Sequence, residues 1–146
     1  MVTTVVMHLK QISTRFSIAV HILSLIAVSP NECTGDFIAG SVNTNPVIIR
    51  RIMGMLKKMG LVEVRPGVGG ASLLKAPEEI TLLDVYRAVN VIEDNQLFRF
   101  HADPNERCPV GANIESVLQS ELNEAQSAME HRLAQTTLSQ LTPRFK

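Results

Sequence analysis

The residues best equipped for chemistry in this chain are cations on a predicted helix. Residues 46–60 read Pro-Val-Ile-Ile-Arg-Arg-Ile-Met-Gly-Met-Leu-Lys-Lys-Met-Gly. At about 100° per residue, Ile49, Ile52, Met53, Leu56 and Met59 share one face, which must pack inward. Val47, Arg50, Arg51, Gly54 and Lys58 fall on the other, with no acidic residue among them. An arginine can donate two parallel hydrogen bonds to guanine, and Val47 can touch a thymine methyl. Arg50 and Lys58 suit phosphates, which position a protein on DNA without specifying sequence. A second reactive residue is Cys108, just ahead of a predicted long helix, where a thiol pKa is lowered. No nucleophile–base pair, metal triad or carboxylate pair stands out, so the chain does not read as an enzyme. His101 and Cys108 are too few to claim a metal site.

The elements around the cationic helix carry clear punctuation. Asn45 is an N-cap and Pro46 takes the first helical position, where its missing N–H is harmless. Gly60 suits a left-handed residue that ends the helix. Upstream, Thr34 caps a short helix that ends near Val42, with Asp36 favouring its positive end. Asn43 to Asn45 form the connecting turn, as a helix-turn-helix requires. Downstream, Leu61 to Arg65 and Ala71 to Leu74 read as strands joined by Pro66-Gly67-Val68-Gly69-Gly70, whose glycines permit positive φ and close approach to a backbone. Such a run can cradle a nucleotide phosphate, but it opens no helix and lacks the Lys-Ser/Thr of a P-loop. A wing lying along a minor groove, with Arg65 at its base, fits better. A helix from about Lys10 to Val28 carries Ile12, Phe16, Ala19, Val20, Leu23 and Ile26 at helical spacing. Ser13 and Arg15 near its start can reach a phosphate, and His21 reads as a packed or surface histidine. Candidate DNA contacts are therefore Ser13, Arg15, Thr44, Asn45, Val47, Arg50, Arg51, Lys58, Arg65, Gly67, Gly69 and Gly70.

The fold class expected is mainly α with a small β-hairpin wing: a winged helix-turn-helix over residues 9–78. Residues 79–146 hold a connecting helix, a loop and a long dimerisation helix. Thr81 and Asp84 have capping-box spacing, ahead of Leu82, Val85, Ala88, Val89 and Ile92, which face the first helix. Residues 93–110 are polar and irregular. From about Gly111 to Gln135, the stripe Ile114, Leu118, Leu122, Ala125, Met129 and Leu133 runs along a helix of roughly 37 Å. That length exceeds what the small domain can cover, so the stripe predicts a homodimer; the alternative is a helix folded back on its own domain. Thr136 to Leu141 adds a final turn. The net charge of zero hides an asymmetry. Residues 1–76 hold eight basic and three acidic side chains, and residues 77–146 hold six and eleven. Only the first half is suited to a polyanion. Two cysteines, Cys33 and Cys108, make no disulfide framework. The apolar segment Ile18 to Val28 is too short to span a membrane. A cytoplasmic protein with reduced thiols is expected. Residues 1–8 read as a leader to which nothing is assigned.

Taken together, Ile12-Ser-Thr-Arg-Phe-Ser-Ile-Ala19, Arg50 through Val62, Arg65-Pro-Gly-Val-Gly-Gly70 and Ile80-Thr-Leu-Leu-Asp-Val85 resemble the Rrf-two family of bacterial winged-helix regulators. The resemblance covers nearly the whole chain after residue 9, and the Arg/Gly/Gly-Gly wing is its most specific part. It implies a dimeric transcription factor, usually a repressor, whose recognition helices meet a pseudo-palindromic operator in double-stranded DNA. Some members hold an iron–sulfur cluster through three cysteines in the loop before the dimer helix. Here only Cys108 stands between residues 92 and 111, and Leu97, Phe98 and Arg99 occupy the place of a first ligand. One thiolate cannot replace that set, so no cofactor and no metal are expected. Cys108-Pro-Val-Gly111 looks like a cluster-free branch, with Cys108 either a redox or electrophile sensor or an incidental thiol. A small-molecule or oxidant effector fits this scheme. The competing reading is a winged-helix module for protein–protein assembly without direct DNA readout.

Overall fold

The computed structural model describes the backbone of residues 2–65, 70–90, 98 and 100–145, and side chains from Thr14 onward. Helix α1 (Val2–Val28) is followed by α2 (Gly35–Val42) and α3 (Pro46–Lys58). Strands β1 (Val62–Val64) and β2 (Ala71–Leu73) come next, then α4 (Leu82–Val89), α5 (Pro109–Ala134) and α6 (Leu138–Leu141). Single 3-10 turns precede α4 at Pro77–Glu79 and follow α6 at Thr142–Arg144. Helix α1 begins eight residues before the expected start at Lys10, because neither Gly nor Pro interrupts residues 2–9.

One core holds the first three helices, the hairpin and α4 together. Ile18, Ala19, Ile22, Leu23 and Ile26 of α1 supply its floor, and Ile38, Ile49, Ile52 and Leu56 of α2 and α3 close over it. Leu61, Val62 and Ala71 bring in the hairpin, and Val85, Ala88 and Val89 bring in α4 against α1 and α3. Ile80 and Leu138 belong to the same cluster, so the expected division at residue 78 runs through a shared core. Ile92, expected on this face of α4, lies outside the described residues.

The hairpin is antiparallel, with Val62 opposite Leu73, Glu63 opposite Ser72 and Val64 opposite Ala71. The Arg65 N–H donates to Gly70 O at 3.1 Å. The hairpin is also held from outside: the Ala71 N–H donates to Cys33 O at 2.8 Å, tying β2 to the connection between α1 and α2. This backbone link has no side-chain signature in the sequence.

The capping box expected at α4 is present. Asp84 N–H donates to Thr81 Oγ1 at 3.1 Å and Thr81 N–H to Asp84 Oδ2 at 3.0 Å. Helix α5 runs for 26 residues, none of them buried. Past its end the chain returns to the core. Leu82 N–H donates to Thr136 O at 2.9 Å, and Leu138 N–H to Ile80 O at 2.8 Å. The expected final turn is therefore an anchor. Leu138 is 1% exposed, and burying a leucine of this kind stabilises by about 1.5–3 kcal/mol.

Candidate nucleic-acid interface

The local chemistry of α3 explains which way it faces. The Asn45 side chain accepts the Val47 N–H at 2.9 Å, and Pro46 occupies the first turn. Gly60 takes φ +74° after the helix, the left-handed conformation that ends it. The preceding helix ends on Asn43 at φ 58°, also left-handed, which a short polar side chain tolerates. Thr34 starts that helix by accepting the Phe37 N–H at 3.1 Å. Left-handed Asn43 and the Asn45 cap thus fix the turn between α2 and α3, while Thr34 and Gly60 close the outer ends of the two helices.

Ile49, Ile52 and Leu56 are the buried residues of α3. Opposite them Val47, Arg50, Arg51, Gly54 and Lys58 are all exposed, Val47 by 52%. Two positions depart from the expected face. Met53 is half-buried, but Met59 is 39% exposed. It sits at the helix end, beyond the last turn that the core reaches. Lys57 and Ile48, passed over in the sequence, are exposed as well, Ile48 by 39%. Lys57 continues the row of Arg50 and Gly54 along one edge, a phase relation the spacing contains. Part of the role of Lys57 and Lys58 is local, since cations in a last turn complement the helix dipole.

The other expected contacts are divided. Arg65 is exposed at the end of β1, and Asn45 is exposed with its oxygen engaged in the cap. Thr44 is half-buried in the turn. Arg15 is a correction, being only 7% exposed. It lies three, four and seven residues before Ile18, Ala19 and Ile22, so its helical phase directs it to the core side of α1. The side chain of Ser13, and Gly67 and Gly69 of the wing, lie outside the described residues. Gly70 is described, at φ +110°, a conformation that favours glycine. His21 lies at the surface and shares a 2.9 Å hydrogen bond with Ser41 of α2.

The two thiols have opposite environments. Cys33 is buried, with Sγ donating to Ser29 O at 3.2 Å. Burial, and then the Glu32 carboxylate, push its pKa up. Cys108 is exposed at the N-cap of α5, and the backbone N–H groups of Gly111 and Val110 pull its pKa down. The segment before it folds tightly onto the helix start. Cys108 N–H donates to Asn105 O at 3.2 Å, and a β-carbon on Gly111 would collide with that carbonyl.

With this geometry in place, the comparisons decide the family. Residues 12–144 match the Rrf2 model, described as an iron-dependent transcriptional regulator. The chain belongs to the Rrf2 family. YwnA of Bacillus subtilis (strain 168), assigned as an HTH-type transcriptional regulator, is 46% identical over 127 residues, covering 87% of this chain and 93% of that protein. A crystal structure of a protein assigned as DNA-binding superposes with a TM-score of 0.68 at 41% identity, covering 86% of this chain and 96% of that one. Staphylococcus aureus CymR shares the fold, with a TM-score of 0.64 at 20% identity over 88% of this chain and 95% of its own. The Rrf2 chain is thus a transcriptional regulator and not an enzyme.

The iron in the family description does not fit the residues present. The chain holds two cysteines; Cys33 is buried with its thiol bonded to a carbonyl, and Cys108 is exposed. Among the described residues no group of three or more His, Cys, Asp or Glu is placed to hold a metal ion. Among them, too, no helix is long and apolar enough to cross a membrane.

The contrast between the thiols gives a measurable pH dependence. Alkylation requires the thiolate, so a lowered pKa keeps the rate high as pH falls and a raised one suppresses it. Iodoacetamide labelling followed by peptide mass analysis should modify Cys108 first at neutral pH, with Cys33 reacting only after unfolding. Equal rates in the folded protein would contradict the assignment.

Proposed function

We propose that this Rrf2 regulator is a homodimeric, sequence-specific DNA-binding protein, acting as a repressor, with two copies of α3 entering successive major grooves of a pseudo-palindromic operator. The observation that carries the reading is the exposed row of Val47, Arg50, Arg51 and Lys58 on a helix whose opposite side buries Ile49, Ile52 and Leu56. Arg51 and Val47 lie one turn apart and serve as base readers; Arg50, Lys58 and Arg65 serve as phosphate contacts. Thr44 and Asn45 of the turn, and Gly67, Gly69 and Gly70 of the wing, are assigned as further contacts to the DNA backbone.

The dimer reading rests on α5. A helix of 26 residues spans roughly 39 Å. Val117 and Leu118 on it are 61% and 38% exposed, while Ile114, Leu122, Met129 and Leu133 are half-covered. Together with exposed Ala125, this stripe suits a second copy of the same helix. Cys108, at the start of that helix, is then placed to report oxidants or electrophiles to the dimer.

Three experiments test these readings. First, duplexes are selected from random DNA by the wild-type chain. With six phosphate contacts per dimer, affinity for the selected duplex should fall roughly a thousandfold between about 50 and 200 mM salt. Arg51→Ala should weaken it by about 1–3 kcal/mol. Failure to enrich any sequence would leave protein–protein assembly as the use of this face. Second, sedimentation should give a dimer for the wild type and a folded monomer for Leu118→Glu combined with Leu122→Glu; a wild-type monomer at tens of micromolar sinks the dimer. Third, selective alkylation of Cys108 should reduce operator affinity. Full modification with affinity unchanged removes the sensor role.

A further inference from the structure

At the middle of the exposed face of α3 stands a residue with no side chain at all. Taking Val47 as the reference direction, Gly54 lies about 20° to one side and Lys58 about 20° to the other, with Arg51 and Arg50 flanking them. Glycine in a helix interior weakens the helix, because it loses more backbone freedom on folding than any other residue. Three ordinary reasons for a glycine are absent here. Helix α3 continues for four residues beyond it, so it is not a cap. Its φ is not positive, as those of Gly60 and Gly70 are among the described glycines. A β-carbon built on it would meet nothing within 4 Å among the described residues. Gly111 is the contrast: there the chain's own backbone occupies the space.

Among the described residues, nothing in the folded chain therefore requires a glycine at position 54. We infer that Gly54 is a close-approach position for DNA: the missing side chain lets α3 settle deeper into the groove, so that Arg51 and Val47 reach base edges while Arg50 and Lys58 reach phosphates. The inference rests on the DNA-binding reading and adds a residue that makes no hydrogen bond through a side chain. It acts by what it leaves empty. Helix stability and DNA affinity then pull in opposite directions at this one position, which no purely structural role would produce.

The test uses Gly54→Ala and Gly54→Gln in the full-length chain, with the duplex selected by the wild type as probe. Thermal unfolding should show both variants folded, with Gly54→Ala melting higher than the wild type because alanine favours the helix. Fluorescence anisotropy should show the selected duplex bound about tenfold more weakly by Gly54→Ala and at least a hundredfold more weakly by Gly54→Gln. Ser120→Gln, on the exposed surface of α5 and on the opposite side from its apolar stripe, serves as the control and should bind normally. Wild-type affinity in both Gly54 variants would overturn this inference alone. A wild type that binds no duplex would instead remove the DNA-binding reading beneath it.

Discussion

The direction in which α3 faces is set by one constraint, the burial of Ile49, Ile52 and Leu56. A helix has a single rotational phase, so committing those three side chains to the core commits Val47, Arg50, Arg51, Gly54 and Lys58 to solvent. The energetic weight is on the apolar side. Each buried aliphatic side chain contributes on the order of 1.5–3 kcal/mol, whereas an exposed arginine contributes almost nothing to stability. The cations are thus free to vary for recognition while the core holds the orientation. The turn before α3 serves the same end. Asn43 and Asn45 fix where the helix starts, and a one-residue slip there would rotate every exposed side chain by about 100°.

How much of this was legible in the chain depends on whether the determining chemistry is local. Asn45-Pro46, Thr81 with Asp84, and Gly60 each act within one turn of their own backbone, and all three were readable as caps or stops. The buried face of α3 was readable for Ile49, Ile52 and Leu56 because periodicity alone decides it. Met59 was not, because periodicity says nothing of where the core ends. Arg15 shows a different failure: its charge invited a surface reading, although its phase with Ile18, Ala19 and Ile22 pointed inward. Contacts made through tertiary backbone pairing, such as Ala71 N–H to Cys33 O and Leu138 N–H to Ile80 O, leave no pattern in side-chain type. The family resemblance of the sequence was carried by motifs distributed along its length, which is why it agreed with a match spanning residues 12–144.

Helix α5 poses the opposite problem from α3. Its apolar positions recur at the right spacing, yet none is buried within the monomer. Its far end is pinned, since α6 docks Leu138 into the core and Thr137 bridges to Thr81. Its near end is shaped by Gly111, whose missing β-carbon admits the Asn105 carbonyl beside Cys108. The long helix is thus held at its far end, touched by α4 along part of its length, and left with Val117 and Leu118 exposed near its start.

Between these two helices lies α4, which touches α1, α3 and α5. Its two ends are not equivalent. The N-terminal end is closed by the reciprocal Thr81–Asp84 bonds and flanked by buried Ile80 and Val85. At the C-terminal end Asn90 is fully buried, and neither polar atom of its amide finds a partner among the described residues; the Tyr86 hydroxyl is in the same position. Phe16 of α1 packs edge-on against the Tyr86 ring here, with ring centroids 6.4 Å apart. Burial, with the Glu130 carboxylate of α5 second, also raises the Tyr86 pKa, so the phenol stays neutral and adds no charge to this interface. The helix joining the first half of the molecule to α5 is therefore tied at its start to α6 by paired backbone groups and packed along its length against apolar side chains of α1 and α3.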